Sequence, residues 1–236
     1  MNKPIPIPPS GYPSVINAVT HAMASAEIHE EDFNADTDKY MIEVATNIWN
    51  EDSGDSGRRS YCSLVETLMA KNKRIKRREE QNPELFFSDM VKRANSFTIN
   101  MQEKKTCNGC KNVDRISDKV SFIKFPPGKE KNRSVKMCLS QYQKTSTSMA
   151  VSPCSTCSAF EIDKRKTIKD VGSNLGLILP RIDARGRITK TKITLTDRIT
   201  LDGKEFYLGA VVASDGGSTA TDGPYTCFAR RPIHLP

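Results

Sequence analysis

Two cysteine pairs, Cys107-Asn108-Gly109-Cys110 and Cys154-Ser155-Thr156-Cys157, are separated by 43 intervening residues. No other feature constrains the chain as tightly. A CxxC turn sets two thiolates on one side of a metal, and two such turns complete a tetrahedral four-sulfur site. One pair alone also reads as a redox motif, and four cysteines can simply be four free buried thiols. Two pairs in one chain favour zinc, with Cys107, Cys110, Cys154 and Cys157 as ligands. Four thiolates leave no position for water, so a single four-cysteine site implies structural zinc. Cys62, Cys138 and Cys227 are left over and read as ordinary core or surface thiols. An odd total of seven agrees with a reducing compartment.

The length of 236 residues allows one large domain or two small ones. The longest apolar runs, Leu175 to Leu179 and Tyr207 to Ala213, are too short to span a bilayer. The stretch from Met1 to Pro9 has no signal-peptide core. These features predict an intracellular protein, nuclear or cytoplasmic, with no membrane partner. The net charge of +8 is uneven. Residues from Glu27 to Asp55 are acidic, while Lys71 to Arg78 and Lys124 to Lys144 are basic. Six of the eight residues from Lys71 to Arg78 are basic, which fits a short nuclear-localisation pattern or a solvated helix end. Nucleic acid is a weak partner reading, because few aromatic residues interleave the charges.

Apolar spacing predicts helices over 15–26, with Ile16, Val19 and Met23 on one face, and over 38–50, 60–72 and 83–95. Pro83 suits a first helical turn, and 52–57 reads as a loop. After Phe97 the pattern becomes strand-like over 120–125, 175–179, 190–195, 198–201 and 206–213. Turn signals such as Asp202-Gly203 separate these segments. The chain is therefore helical in front and strand-rich behind, an α+β arrangement.

Five stretches in this order resemble the ubiquitin-specific proteases, a family of papain-like cysteine peptidases. Gly11-Tyr12-Pro13-Ser14-Val15-Ile16-Asn17-Ala18 is similar to the family's catalytic cysteine box. Gln81-Asn82-Pro83-Glu84-Leu85-Phe86 resembles the box on the cleft helix, and the cysteine pairs resemble the zinc-binding fingers. Leu177-Ile178-Leu179-Pro180-Arg181-Ile182-Asp183 resembles a strand motif. Tyr207 to Ala213, followed by Gly223-Pro224-Tyr225-Thr226-Cys227-Phe228-Ala229-Arg230, resembles the histidine box. The resemblance implies a papain-like α+β fold in a single domain over 1–236. Its parts would be a helical thumb at 1–97, zinc fingers at 98–170 and a β-rich palm at 171–236.

The chain departs from the family where the chemistry resides. Ser14 stands at the nucleophile position and Pro224 at the general-base position. A hydroxyl needs a base to activate it, and proline has no titratable group. Pro9 falls where the family carries its oxyanion asparagine, and no Asp or Asn follows the histidine box. Of the three histidines, His21 lies seven residues beyond Ser14, about 10 Å along a helix. His29 is farther along the chain and His234 is in the tail. Serine at a helix start can instead serve as an N-cap.

The resemblance thus implies a pseudo-deubiquitinase, a non-catalytic protein that binds ubiquitin or a ubiquitin-like protein or acts as a scaffold in a larger complex. The alternatives are an active ubiquitin or ubiquitin-like isopeptidase using other groups, and a nuclear or nucleic-acid-associated assembly protein. The family grips ubiquitin's basic tail with acidic groups, for which Glu84, Asp89, Asp215 and Asp222 are candidates by motif adjacency. The segment from Ser214 to Gly223 matches a loop that closes over that tail.

Overall fold

A computed structural model describes residues 14–26, 54–71, 82–92, 94–126, 130, 132–179, 191–214 and 225–230. The helix expected over 38–50 lies outside these residues, as do Pro9, His29, Lys73 to Arg78, Gln81, Asp215, Asp222, Pro224 and His234.

In chain order the elements are α1 (Ser14–Ala24), α2 (Gly54–Lys71), α3 (Pro83–Val91), a 3-10 turn (Asn95–Phe97), β1 (Ile99–Cys107), β2 (Val113–Val120), β3 (Ile123–Lys124) and β4 (Asn132–Ser134). Then follow α4 (Val135–Gln143), β5 (Ser146–Met149), β6 (Glu161–Val171), β7 (Leu177–Ile178), β8 (Lys192–Thr194), β9 (Arg198–Leu201), β10 (Lys204–Tyr207), β11 (Ala210–Ser214) and β12 (Tyr225–Ala229). The chain divides into two compact units. One comprises residues 1–97, 181–189 and 207–236, the other 98–180 and 190–206.

In the first unit α1 packs against α3 and against the antiparallel pair β11–β12. Val15, Ile16, Val19 and Met23 are buried, so the apolar spacing of the sequence does mark the packed face. The expected start of α3 also holds. The Asn82 side chain accepts the Glu84 amide hydrogen at 2.9 Å, and Pro83 occupies the first turn, where no amide hydrogen is needed. The helix ends at Val91 rather than at 95. Beyond it the chain tightens into three-residue turns, Ala94 N–H to Val91 O and Phe97 N–H to Ala94 O. That turn sets the Phe97 ring edge-on to Phe87 with centroids 6.1 Å apart. A second difference concerns α2, which starts at Gly54 inside the stretch read as a loop.

The second unit is built on a four-stranded antiparallel sheet, in the order β2-β1-β6-β5. One end of it joins a core of Ile99, Met101, Ile168 and Val171 with Ile123, Phe125, Val135, Cys138, Leu139, Ile199 and Leu201. Tyr142 stands edge-on to Phe125 at 6.0 Å, and the Lys166 ammonium lies 5.0 Å over the Tyr142 ring. The β9–β10 hairpin turns at Asp202 and Gly203, both left-handed with φ of 50° and 74°, as the Asp-Gly signal requires. Strands β1, β5 and β6, nearly all of β2, and helix α4 were not foreseen from the sequence. No described helix is long and apolar enough to cross a membrane.

Candidate functional site

The sheet brings both cysteine pairs to one end. Strand β1 finishes at Cys107, and its turn into β2 carries Cys110. The other pair lies in the connection from β5 to β6, and register places Cys107 opposite Ile162, near the start of β6.

The two turns repeat one hydrogen-bond pattern. The Lys111 N–H donates to Cys107 O at 3.0 Å, and Ser158 N–H donates to Cys154 O at 2.8 Å. Cys107 N–H donates to Asn112 O at 2.9 Å, and Cys154 N–H donates to Ala159 O at 2.8 Å. The residue after each second cysteine is left-handed, Lys111 with φ 62° and Ser158 with φ 59°. Such a conformation is uncommon outside glycine and persists where surrounding bonds fix it. Each turn thus aims two sulfurs to one side.

The four Sγ atoms lie within 4.8 Å of one another. Cys107 and Cys157 are 3.5 Å apart, and Cys110 and Cys154 are 3.7 Å apart. A tetrahedron with zinc–sulfur bonds of about 2.3 Å has sulfur–sulfur edges of about 3.8 Å. Disulfide sulfurs would sit about 2 Å apart. The donor set therefore fits a metal ion, and the thiolates fit zinc. Gly109 completes the fit. A Cβ there would lie 2.9 Å from Cys157 Sγ and 3.1 Å from Ala159 Cβ.

Backbone amides tune the thiols. The amides of Thr156 and Cys157 pull Cys154 down to about 6, and the Cys110 amide lowers Cys107. Cys110 accepts from the Asn112 amide, but desolvation and the three neighbouring sulfurs outweigh it and push this thiol up to about 11. Asn108 and Asp163 support the site although no sequence signal pointed to them. Asn108 N–H donates to Glu161 O at 3.0 Å, and its side chain donates to Asp163 at 3.4 Å. Asp163 also accepts the Thr147 hydroxyl at 2.6 Å, joining β5, β6 and the first turn. Only Gly109, directly before a cysteine, was open to a sequence reading.

The positions that the family resemblance assigns to nucleophile and base are only partly among the described residues. Helix α1 begins at Ser14 itself, so Ser14 is its first residue rather than the residue before it. Strand β12, which packs against α1, begins at Tyr225, one residue after the Pro224 position. His21 lies in the last turn of α1, and burial lowers its pKa. Its Nδ1 is buried with no hydrogen-bond partner among the described residues. Glu84 and Asp89 are half-buried on α3. They stand five positions apart, about 140° around the helix, so α3 does not present them on one line.

No protein-family model matches the chain, and no curated protein does. Solved structures do. The SAGA DUB module Ubp8/Sgf11/Sus1/Sgf73 bound to monoubiquitin matches with a TM-score of 0.69 at 14% identity, over 92% of this chain and 58% of that one. The same module bound to ubiquitin aldehyde matches at 0.66 and 14%, over 92% and 59%. A form with a shortened Sgf11 matches at 0.65 and 14%, over 90% and 56%. This chain spans less than three fifths of the solved chains it matches. The fold is mixed α and β and resembles that of the matched chain in these Ubp8-containing DUB modules.

Proposed function

We propose that this protein is a pseudo-deubiquitinase, one that binds ubiquitin or scaffolds a complex without cleaving a bond. One conjunction carries the reading. The fold is shared with a DUB module solved with ubiquitin bound, while Ser14 and Pro224 occupy the nucleophile and base positions. His21 does not supply the missing base, since it sits about two turns along α1 from Ser14. The packing of α1 on β11–β12 is what a retained but unarmed cleft needs.

On this reading the thumb is 1–97, the fingers are 98–170 and the palm is 171–236. The fingers hold one structural zinc through Cys107, Cys110, Cys154 and Cys157. Glu84, Asp89, Asp215 and Asp222 contact the ubiquitin tail. The matched modules contain four proteins, which favours an assembly partner here too.

The test is turnover of a ubiquitin–fluorophore conjugate by the zinc-loaded protein. No turnover above buffer is expected, and Ser14→Ala should change nothing. Turnover that vanishes in Ser14→Ala would show an active peptidase instead.

A further inference from the structure

A second site lies in the sheet unit, away from the metal ligands. An open cavity of about 720 Å³ is bounded by α4, β6 and β9. Three cations line it, Lys136 and Lys144 from α4 or its end and Arg165 from β6. Its floor includes Leu139, Ile199 and Leu201, each less than a tenth exposed. No carboxylate lines it.

Arg165 also belongs to a row of like charges. Register sets Lys104 directly opposite Arg115 on β2 and opposite Arg165 on β6. Adjacent strands are about 4.8 Å apart, so three cations fall on one face within about 10 Å. Like charges directly opposite each other in a sheet repel. The other face does not share this arrangement. There Lys105 meets Glu103 at 3.6 Å, and register pairs Glu103 with Lys166. Lys104, Arg115, Arg165, Lys136 and Lys144 form no ion pair among the described residues. The row is also exposed, so folding does not require it.

We propose that this cavity, with Lys136, Lys144 and Arg165 in its lining, is a docking site for an acidic segment of a partner protein, with an aliphatic residue set among its carboxylates. The three cations of the lining select an anion, and no carboxylate there competes for them. The floor selects the class of anion. Leu139, Ile199 and Leu201 offer an apolar side chain a place to bury, and a phosphodiester backbone has none to offer. No aromatic ring lines the cavity on which an unpaired base could stack.

The experiment uses the full zinc-loaded chain and a short fluorescein-labelled peptide of glutamates flanking two leucines, read by anisotropy. Saturable binding is expected, weakened about tenfold by Arg165→Glu and similarly by Lys144→Glu. Lys192→Glu, an equal charge change on β8, should leave it nearly unchanged. Replacing the peptide's glutamates by glutamine, or its leucines by serine, should weaken it too. The proposal is overturned if binding is absent, or if Arg165→Glu and Lys144→Glu both bind like the unaltered chain. It is overturned equally if the leucines are dispensable and a labelled single-stranded DNA binds more tightly with the same sensitivity to Arg165, which would make this a nucleic-acid site.

Discussion

At one end of the β1–β6 pair, Ile99, Met101, Ile168 and Val171 are packed out of water, and Phe125 and Leu139 close over them. At the other end, Lys104, Arg115 and Arg165 are exposed, and the one buried hydrophobic contribution is Cys107. The same two strands, whose register shifts once between Asn100 and Met101, thus have hydrophobic packing at one end and four clustered sulfurs at the other. Burial of apolar surface stabilises the first end without regard to metal. The second has too little apolar surface to order itself, so metal binding by its four thiols would supply much of its free energy of folding. A chain can therefore extend a sheet well beyond its core, provided a clasp closes the far end.

Four experiments separate these two ends, in falling order of effect. Cys154→Ser should lower zinc affinity by more than about a hundredfold, beyond what losing a mere supporting residue costs. Amide exchange should then accelerate from Lys104 to Arg115 and from Asp163 to Arg165, while Ile99 and Val171 stay protected. Uniform acceleration across the unit would show that the ends are one cooperative block.

Phe125→Ala attacks the opposite end. The ring is 1% exposed, and its loss should cost about 3–5 kcal/mol in denaturant unfolding. Zinc stoichiometry should remain at one per folded chain. Gly109→Ala returns to the clasp with a smaller effect. The added Cβ crowds Cys157 Sγ at 2.9 Å, so zinc affinity should fall about tenfold in a chelator competition, with little change at the core.

The smallest effect is an acid one. Lys204 donates to Asp170 at 2.9 Å, and this hydrogen bond with the lysine's charge holds the carboxyl below its usual range. A depressed folded pKa adds stability above the unfolded value of about 4, and that stability is lost as pH falls through the folded value. Asp170→Asn should lack this acid limb. At neutral pH the difference should be barely measurable, because the pair is about half exposed to solvent.

The sequence revealed the elements whose signals are local. Apolar spacing marked α1, Pro83 marked the start of α3, and Asp202-Gly203 marked the β9–β10 turn. The CxxC spacing marked the four thiols that the sheet brings together. Strands β1, β2 and β6 were not legible for a physical reason. Alternation appears only where one face is buried, and every residue of β2 before Val120 is exposed. Their sequences, such as Glu161-Ile162-Asp163-Lys164-Arg165-Lys166, read as solvated charge. Helix α4 was hidden likewise inside a basic run, although Ser134 caps it by accepting the Met137 amide hydrogen at 3.2 Å. Asp163 could not be tied to Asn108 without the register that makes them neighbours.

Recognition without chemistry can be tested by a single titration. Isotope-labelled ubiquitin would be followed by NMR as the zinc-loaded protein is added. Shifts are expected to concentrate on ubiquitin's hydrophobic patch and C-terminal tail, with the ubiquitin chain left intact. An unchanged spectrum at high protein concentration would rule out ubiquitin recognition and leave only the scaffold role.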